Sequence, residues 1–178
     1  MDHVDHILEA WRRERPDVDV TALGQLARLF RAANLADAAL AVSLAKHRLQ
    51  PGWFDLLAAL RRVGSPYELN PTQLMRTTML SSGGMTKRLD RLVEAGLVQR
   101  RPDPADRRGT LVRLTPRGRK AIDAAFETHA SNEERLLSAL EPAERDALDA
   151  LLRKLLASLS ASPKRTADGP TPSRTSIV

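Results

Sequence analysis

Ser81 to Leu92 reads SSGGMTKRLDRL, a helix opening that sets two adjacent glycines before a mixed apolar and basic run. Inside a helix each glycine costs about 1 kcal/mol relative to alanine, so a start built on Gly83 and Gly84 needs a reason. At about 100° per residue, Met85, Leu89, Leu92 and Val93 fall on one face, while Gly83, Lys87, Asp90, Arg91 and Glu94 fall on the other. The apolar face must pack against a neighbouring element. The outward face begins with small residues that allow a close backbone approach, and the free N–H groups of a first turn suit an anion. Ser81 and Ser82 add a cap and hydroxyl donors. Taken alone, the stretch suits either an ordinary solvated amphipathic helix or a helix presented to a polyanion.

The neighbours narrow the choice. Upstream, Asn70 and Pro71 form a cap and first-turn pair that starts a short helix fading near Thr78. Downstream, Gly96 closes the quoted helix and the period changes from helical to alternating. Leu97–Arg101 and Thr110–Leu114 read as two short strands around the loop PDPADRRG, Pro102 to Gly109. A short helix, a second helix and a hairpin in that order make a winged helix-turn-helix. A major groove accepts such a second helix, with its N-terminal residues nearest the base edges. From Arg100 to Lys120 eight basic residues face two acids, Asp103 and Asp106. An arginine at a hairpin tip suits a narrow minor groove, and Asp106, two residues before Arg108, is placed to hold its guanidinium. The alternative is a solvated turn with no target.

The rest of the chain is helical. Val4, Ile7, Leu8 and Trp11 predict an amphipathic helix over 3–14, ending before Pro16. A long helix follows over about 21–48, and Pro51 opens a third that Gly64 closes. Thr115 and Pro116 cap a helix over about 116–139, and a last one spans about 142–159. It carries Leu148, Leu151, Leu152, Leu155, Leu156 and Leu159 at helical spacing. That row calls for a cover, and a second copy of the chain is the commonest one. The fold class is therefore mainly α with a small β-hairpin wing. The expected organisation is N-terminal helices over 1–48, a winged helix-turn-helix lobe over 49–115 and C-terminal dimerisation helices over 116–160. The polar, proline-bearing tail over 161–178 reads as disordered.

Composition removes several function classes. The 178 residues carry a net charge of +6 with a pI near 10.4, which points to an anionic partner such as nucleic acid. No cysteine is present, so disulfides, thiolate metal sites and thiol-based redox sensing are out. No apolar run approaches the roughly 18 residues of a membrane span. The N-terminus carries acids where a signal peptide carries basic residues, giving the expectation of a soluble cytoplasmic protein. His3 and His6 share a helical flank but lack further ligands, and His47 and His129 stand alone. No nucleophile, acid–base set, cofactor motif or metal site is evident, so neither catalysis nor a cofactor is expected.

The run LSSGGMTKRLDRLVEAGLVQRRPDPADRRGTLVRLTPRG resembles the MarR family of dimeric winged-helix transcription regulators, over roughly residues 20–160. The resemblance implies a recognition helix over 82–95 and a wing over 102–109, with Asp106 and Arg108 as the family's Asp-x-Arg wing pair. It implies DNA contacts from Ser81, Ser82, Gly84, Thr86, Lys87, Arg91, Arg107 and Arg108, with Asp106 in support. The extra helix with Trp11, the phrase WFDLLAALRR and SSGGMTKRLDRL are further similar to the PecS/UrtR branch, whose members are often released from DNA by urate or related purines. Carried over residue by residue, that branch's ligand site becomes Trp11, Asp55, Arg88 and Arg100. On the helical wheel Arg88 lies on the flank beside Leu92, toward the protein, whereas Arg91 faces out. A charge on that flank needs a partner. Asp55 suits as a plain salt bridge or across an intervening planar anion, and Trp11 equally suits simple anchoring of its helix. The expected protein is thus a homodimeric repressor on a palindromic operator, relieved by a small anionic effector. A di- or tricarboxylate or phenolic acid is the alternative effector, and a non-specific architectural DNA binder the alternative function.

Overall fold

In the computed structural model, which describes residues 1–78 and 84–161, local signals set most element boundaries. Helix α1 (His3–Glu14) starts where the Asp2 and Asp5 side chains each accept the other's backbone N–H, a reciprocal cap. It lies on α2 (Thr21–Ala45) through buried Val4 and Leu8. Gly24 of α2 makes the approach possible: a Cβ there would lie 2.7 Å from Leu8 Cδ1. Arg28 of α2 clasps both capping carboxylates, donating from Nε to Asp2 at 2.8 Å and from Nη2 to Asp5. Helix α2 stops at Ala45, three residues before the expected end, because the backbone turns through Arg48 at φ +56°.

Helix α3 (Pro51–Arg62) is the hub of the first compact unit, residues 1–136. Its Leu56, Leu57 and Leu60 are fully buried, together with Leu74 of α4 (Pro71–Thr77) and Leu92 of α5 (Met85–Glu94). The expected Asn70 cap is present, in a reciprocal arrangement with Gln73. A three-stranded antiparallel sheet, ordered β1-β3-β2, is formed by β1 (Glu68–Leu69), β2 (Val98–Asp103) and β3 (Asp106–Leu114). The hairpin is longer than the sequence suggests. Only Pro104 and Ala105 remain between its strands, where the pattern predicted a loop over 102–109. The two-residue β1 was not expected; it pairs Glu68 with Arg113 and Leu69 with Val112.

Helix α6 (Pro116–Leu136) is capped by Thr115, whose Oγ1 accepts the Gly118 N–H at 2.9 Å and donates to the Gly96 carbonyl at 2.8 Å. Gly118 lies so close to the α5–β2 corner that a Cβ would come within 1.9 Å of the Leu97 carbonyl oxygen. Two contacts stitch α6 to α3: Arg61 Nε donates to Asp123 Oδ1 at 2.7 Å, and the His129 ring lies 4.3 Å from that of Phe54. The Arg61 and Arg119 guanidiniums both lie over the Tyr67 ring, 5.2 and 5.7 Å from its centroid. The second unit, residues 137–178, contains α7 (Pro142–Ala161), of which no described residue is buried. The predicted disordered tail lies outside the described residues, apart from Ala161, which ends α7.

Candidate nucleic-acid interface

Helix α5 begins at Met85, later than the expected residue 82, with Gly84 as its N-cap and no side-chain cap. Gly84 has φ +81°, in the left-handed region that disfavours a Cβ, and its carbonyl accepts the Arg88 N–H at 3.0 Å. At Gly84, then, the glycine is required by backbone conformation. Ser81, Ser82 and Gly83 lie outside the described residues. The predicted two faces of α5 are present: Met85, Leu89 and Leu92 are buried, while Thr86, Lys87 and Arg91 are exposed. Arg88 is half-buried and turned toward the start of α3, where a Cβ on Gly52 would stand 3.0 Å from its Nε. One helix thus presents two cations outward and folds a third against the protein.

The hairpin carries its arginines on an irregularity. Pro102 pairs with Thr110, and the next pair is Asp103 with Asp106, so β3 holds Arg107, Arg108 and Gly109 against nothing on β2. Such a bulge bends a strand and re-aims its residues. Gly109 permits it, since a Cβ there would meet the Asp103 Cβ at 2.8 Å. The Asp103 carboxylate in turn accepts the Ala105 N–H at 2.9 Å, fixing the turn. Asp106 opens β3 opposite Asp103.

Behind α5, elements from both sequence halves converge on Asp55. Burial raises its carboxyl above the ordinary carboxylate range, His129 and Arg88 pull it back down, and Asp37 of α2 pushes it up again. Asp55 and Arg88 are therefore brought into one electrostatic neighbourhood. The other two predicted ligand residues lie on other elements, Arg100 on β2 and Trp11 on α1. Arg100 of β2 donates from Nη2 to Asp90 Oδ1 at 2.7 Å, tying the base of the wing to α5. Trp11 lies on α1, the helix that docks on α2; it is 48% exposed and, among the described residues, makes no ring contact or side-chain hydrogen bond. His129, isolated in the sequence, is the neighbour that reading missed. Its signal was its place on the buried stripe of α6, at helical spacing from Ile122 and Ala125.

A lobe of this shape and charge has known relatives. The family profile described as MarR family matches residues 48–109. The chain is 39% identical to the HTH-type transcriptional regulator PecS of Dickeya dadantii (strain 3937) over 152 residues, covering 85% of this chain and 92% of PecS. The chain belongs to the MarR family. It is a DNA-binding transcription regulator, not an enzyme. Among solved structures it resembles a mutant of MarR from E. coli in complex with operator DNA, at 28% identity and a TM-score of 0.66, covering 77% of this chain and 95% of that one. It is also similar to Bordetella bronchiseptica BpsR, whose DNA binding is regulated by 6-hydroxynicotinic acid. That likeness has 29% identity and a TM-score of 0.67, over 78% of this chain and 96% of BpsR. The chain itself is mostly helical with a small three-stranded antiparallel wing sheet, a MarR-like winged helix-turn-helix fold. No helix among the described residues is long and apolar enough to cross a membrane.

Proposed function

We propose that the protein is a cytoplasmic repressor that binds an imperfectly palindromic operator as a homodimer and is released by a small anionic metabolite, urate or a related purine. The observation that carries this reading is the division of α5: Lys87 and Arg91 point to solvent while Arg88 turns in against Gly52, beside Asp55. DNA contacts come from Gly84, Thr86, Lys87 and Arg91, from Ser81 and Ser82 before them, and from Arg107 and Arg108 on the wing. Phosphate neutralisation by these cations gives affinity that falls steeply with salt. Effector binding at Asp55 and Arg88, with Trp11 and Arg100 as further members of the site, shifts α5 relative to its groove. It does so only to the extent that the effector binds the released conformation more tightly.

The dimer reading draws on apolar surface that one chain leaves in water. Phe30, Leu35 and Val42 of α2 are exposed, and so, within the second unit, are Leu151, Leu156 and Leu159 of α7. Such surface is the usual mark of a protein partner, and a two-fold dimer would set paired recognition helices about one turn of DNA apart. A carboxylate effector is the second reading. It is favoured by the likeness to BpsR, whose regulator 6-hydroxynicotinic acid is a planar heteroaromatic carboxylic acid.

The test is an operator-release titration by fluorescence anisotropy, with DNA selected from a random pool and urate, 6-hydroxynicotinate and citrate as competitors. Release by one of them, lost in Asp55→Ala and Arg88→Ala with DNA affinity retained, is the expected result. A response left intact in both variants overturns the site.

A further inference from the structure

The wing sheet carries a charge cluster on the face turned away from the core. Val98, Val112 and Leu114 bury the inner face, and Arg100, opposite Val112, reaches Asp90 of α5 on that side. Strand alternation puts Gln99 and Arg101 of β2, with Leu111 and Arg113 of β3, on the outer face. Glu68 of β1 joins them there, directly across from Arg113. Its Oε2 lies 3.7 Å from Arg101 Nη1 and 3.9 Å from Arg113 Nε. These are ion-pair distances, too long for hydrogen bonds. Oε2 is buried and has no hydrogen-bond partner, while the Arg101 side chain remains 49% exposed. Two cations on separate strands are therefore drawn toward one carboxylate oxygen that accepts none of their N–H groups.

A hairpin that enters a minor groove about 6 Å wide stands between two sugar–phosphate rims. One rim falls to its inner face and the other to its outer face. Arg101 sits two residues before Asp103, the last β2 residue of the pairing, about 7 Å along the strand and within an arginine's reach of the outer rim. A phosphate there competes with Glu68 for both guanidiniums. We infer that Arg101 and Arg113 form a second phosphate contact on the outer face of the wing, and that Glu68 restrains it, holding down the affinity of the protein for DNA. Phosphate contacts carry no sequence information, so the restraint acts on operator and random DNA alike and leaves base readout by α5 as it is. This rests on the wing being part of the DNA interface and extends that reading to a face it did not include.

The experiment measures binding of the full-length protein to selected operator DNA and to random duplex, by fluorescence anisotropy over a range of salt. Glu68→Gln keeps the size of the side chain and removes its charge. It should bind both DNAs more tightly at moderate salt, by roughly threefold or more, with a steeper salt slope. Arg101→Ala and Arg113→Ala remove side chains from the solvent-facing side of the sheet. Each should weaken both DNAs by the same factor and flatten the slope by about one. With both arginines replaced, Glu68→Gln should lose its effect, which separates release of these two cations from a general loss of negative charge. A Glu68→Gln variant that binds no more tightly than wild type, or whose gain persists without the arginines, overturns the restraint. If Arg108→Ala weakens binding while Arg101→Ala, Arg113→Ala and Glu68→Gln change nothing, the outer-face contact alone is overturned. If Arg108→Ala is without effect as well, the wing reading fails and this inference with it.

Discussion

Gly118→Ala makes the tightest clash among the described glycines, and its cost can be worked from one distance. The added Cβ would lie 1.9 Å from the Leu97 carbonyl oxygen, so reaching ordinary contact at 3.4 Å requires a separation of about 1.5 Å. Both atoms belong to backbone, and neither segment is free to move. Leu97 is held by Thr115, whose N–H donates to the Leu97 carbonyl at 3.1 Å, and Gly118 by the Thr115 hydroxyl. Overpacking of this kind costs roughly 3 kcal/mol or more, against a helix-propensity gain of at most about 1 kcal/mol. A net loss of about 2 kcal/mol in a chain of this size lowers Tm by roughly 4–8 °C. Gly64→Ala is the control. It meets nothing within 4 Å, and its φ of +83° carries only the left-handed penalty, about 1–2 kcal/mol. Calorimetric melts of the two variants should therefore rank Gly118→Ala below Gly64→Ala. A Gly118→Ala melt within about 1 °C of wild type would refute the claim that this corner is rigid.

Further outcomes follow from other contacts. Asp55→Asn should raise Tm at neutral pH and gain nothing below about pH 4. The folded-state carboxyl is shifted up by burial, so the ionised form opposes folding above that shifted value, and the opposition disappears once both states are protonated. Melts whose difference is independent of pH would sink that assignment. Leu8→Ala opens a cavity against Gly24, at a cost of about 2–5 kcal/mol. Hydrogen exchange should show α1 losing protection while α3 keeps its own. Arg108→Ala should weaken operator binding at moderate salt and flatten the salt dependence by about one unit of slope; unchanged affinity would exclude the wing as a reader.

Most of the fold was legible because its signals are local. Asn70–Pro71, Thr115–Pro116, Gly64 and Gly96 each end or start an element through caps and turns that depend on a few adjacent residues. The two faces of α5 followed from periodicity alone, including the inward turn of Arg88. What escaped depends on distant partners. The strand Glu68–Leu69 exists because β3 offers it an edge, and the hairpin runs past Arg101 because a bulge at Arg107–Gly109 absorbs the mismatch. The placement of Arg100 on Asp90, and of His129 beside Phe54 and Asp55, is likewise a matter of tertiary packing that spacing cannot express. The left-handed backbone of Gly84 is likewise set by how the chain enters α5, which periodicity does not report.

On the reading we propose, α5 serves two partners through opposite faces. The most direct test is operator binding measured over a range of salt, with and without urate, for Lys87→Ala, Arg91→Ala and Arg88→Gln in parallel. Lys87→Ala and Arg91→Ala should lose affinity, each with a salt slope lower by about one, while their urate midpoints stay put. Arg88→Gln should bind DNA as wild type does, with the same salt slope, and no longer be released. Three variants that lose DNA affinity together, with release unaffected in Arg88→Gln, would contradict it.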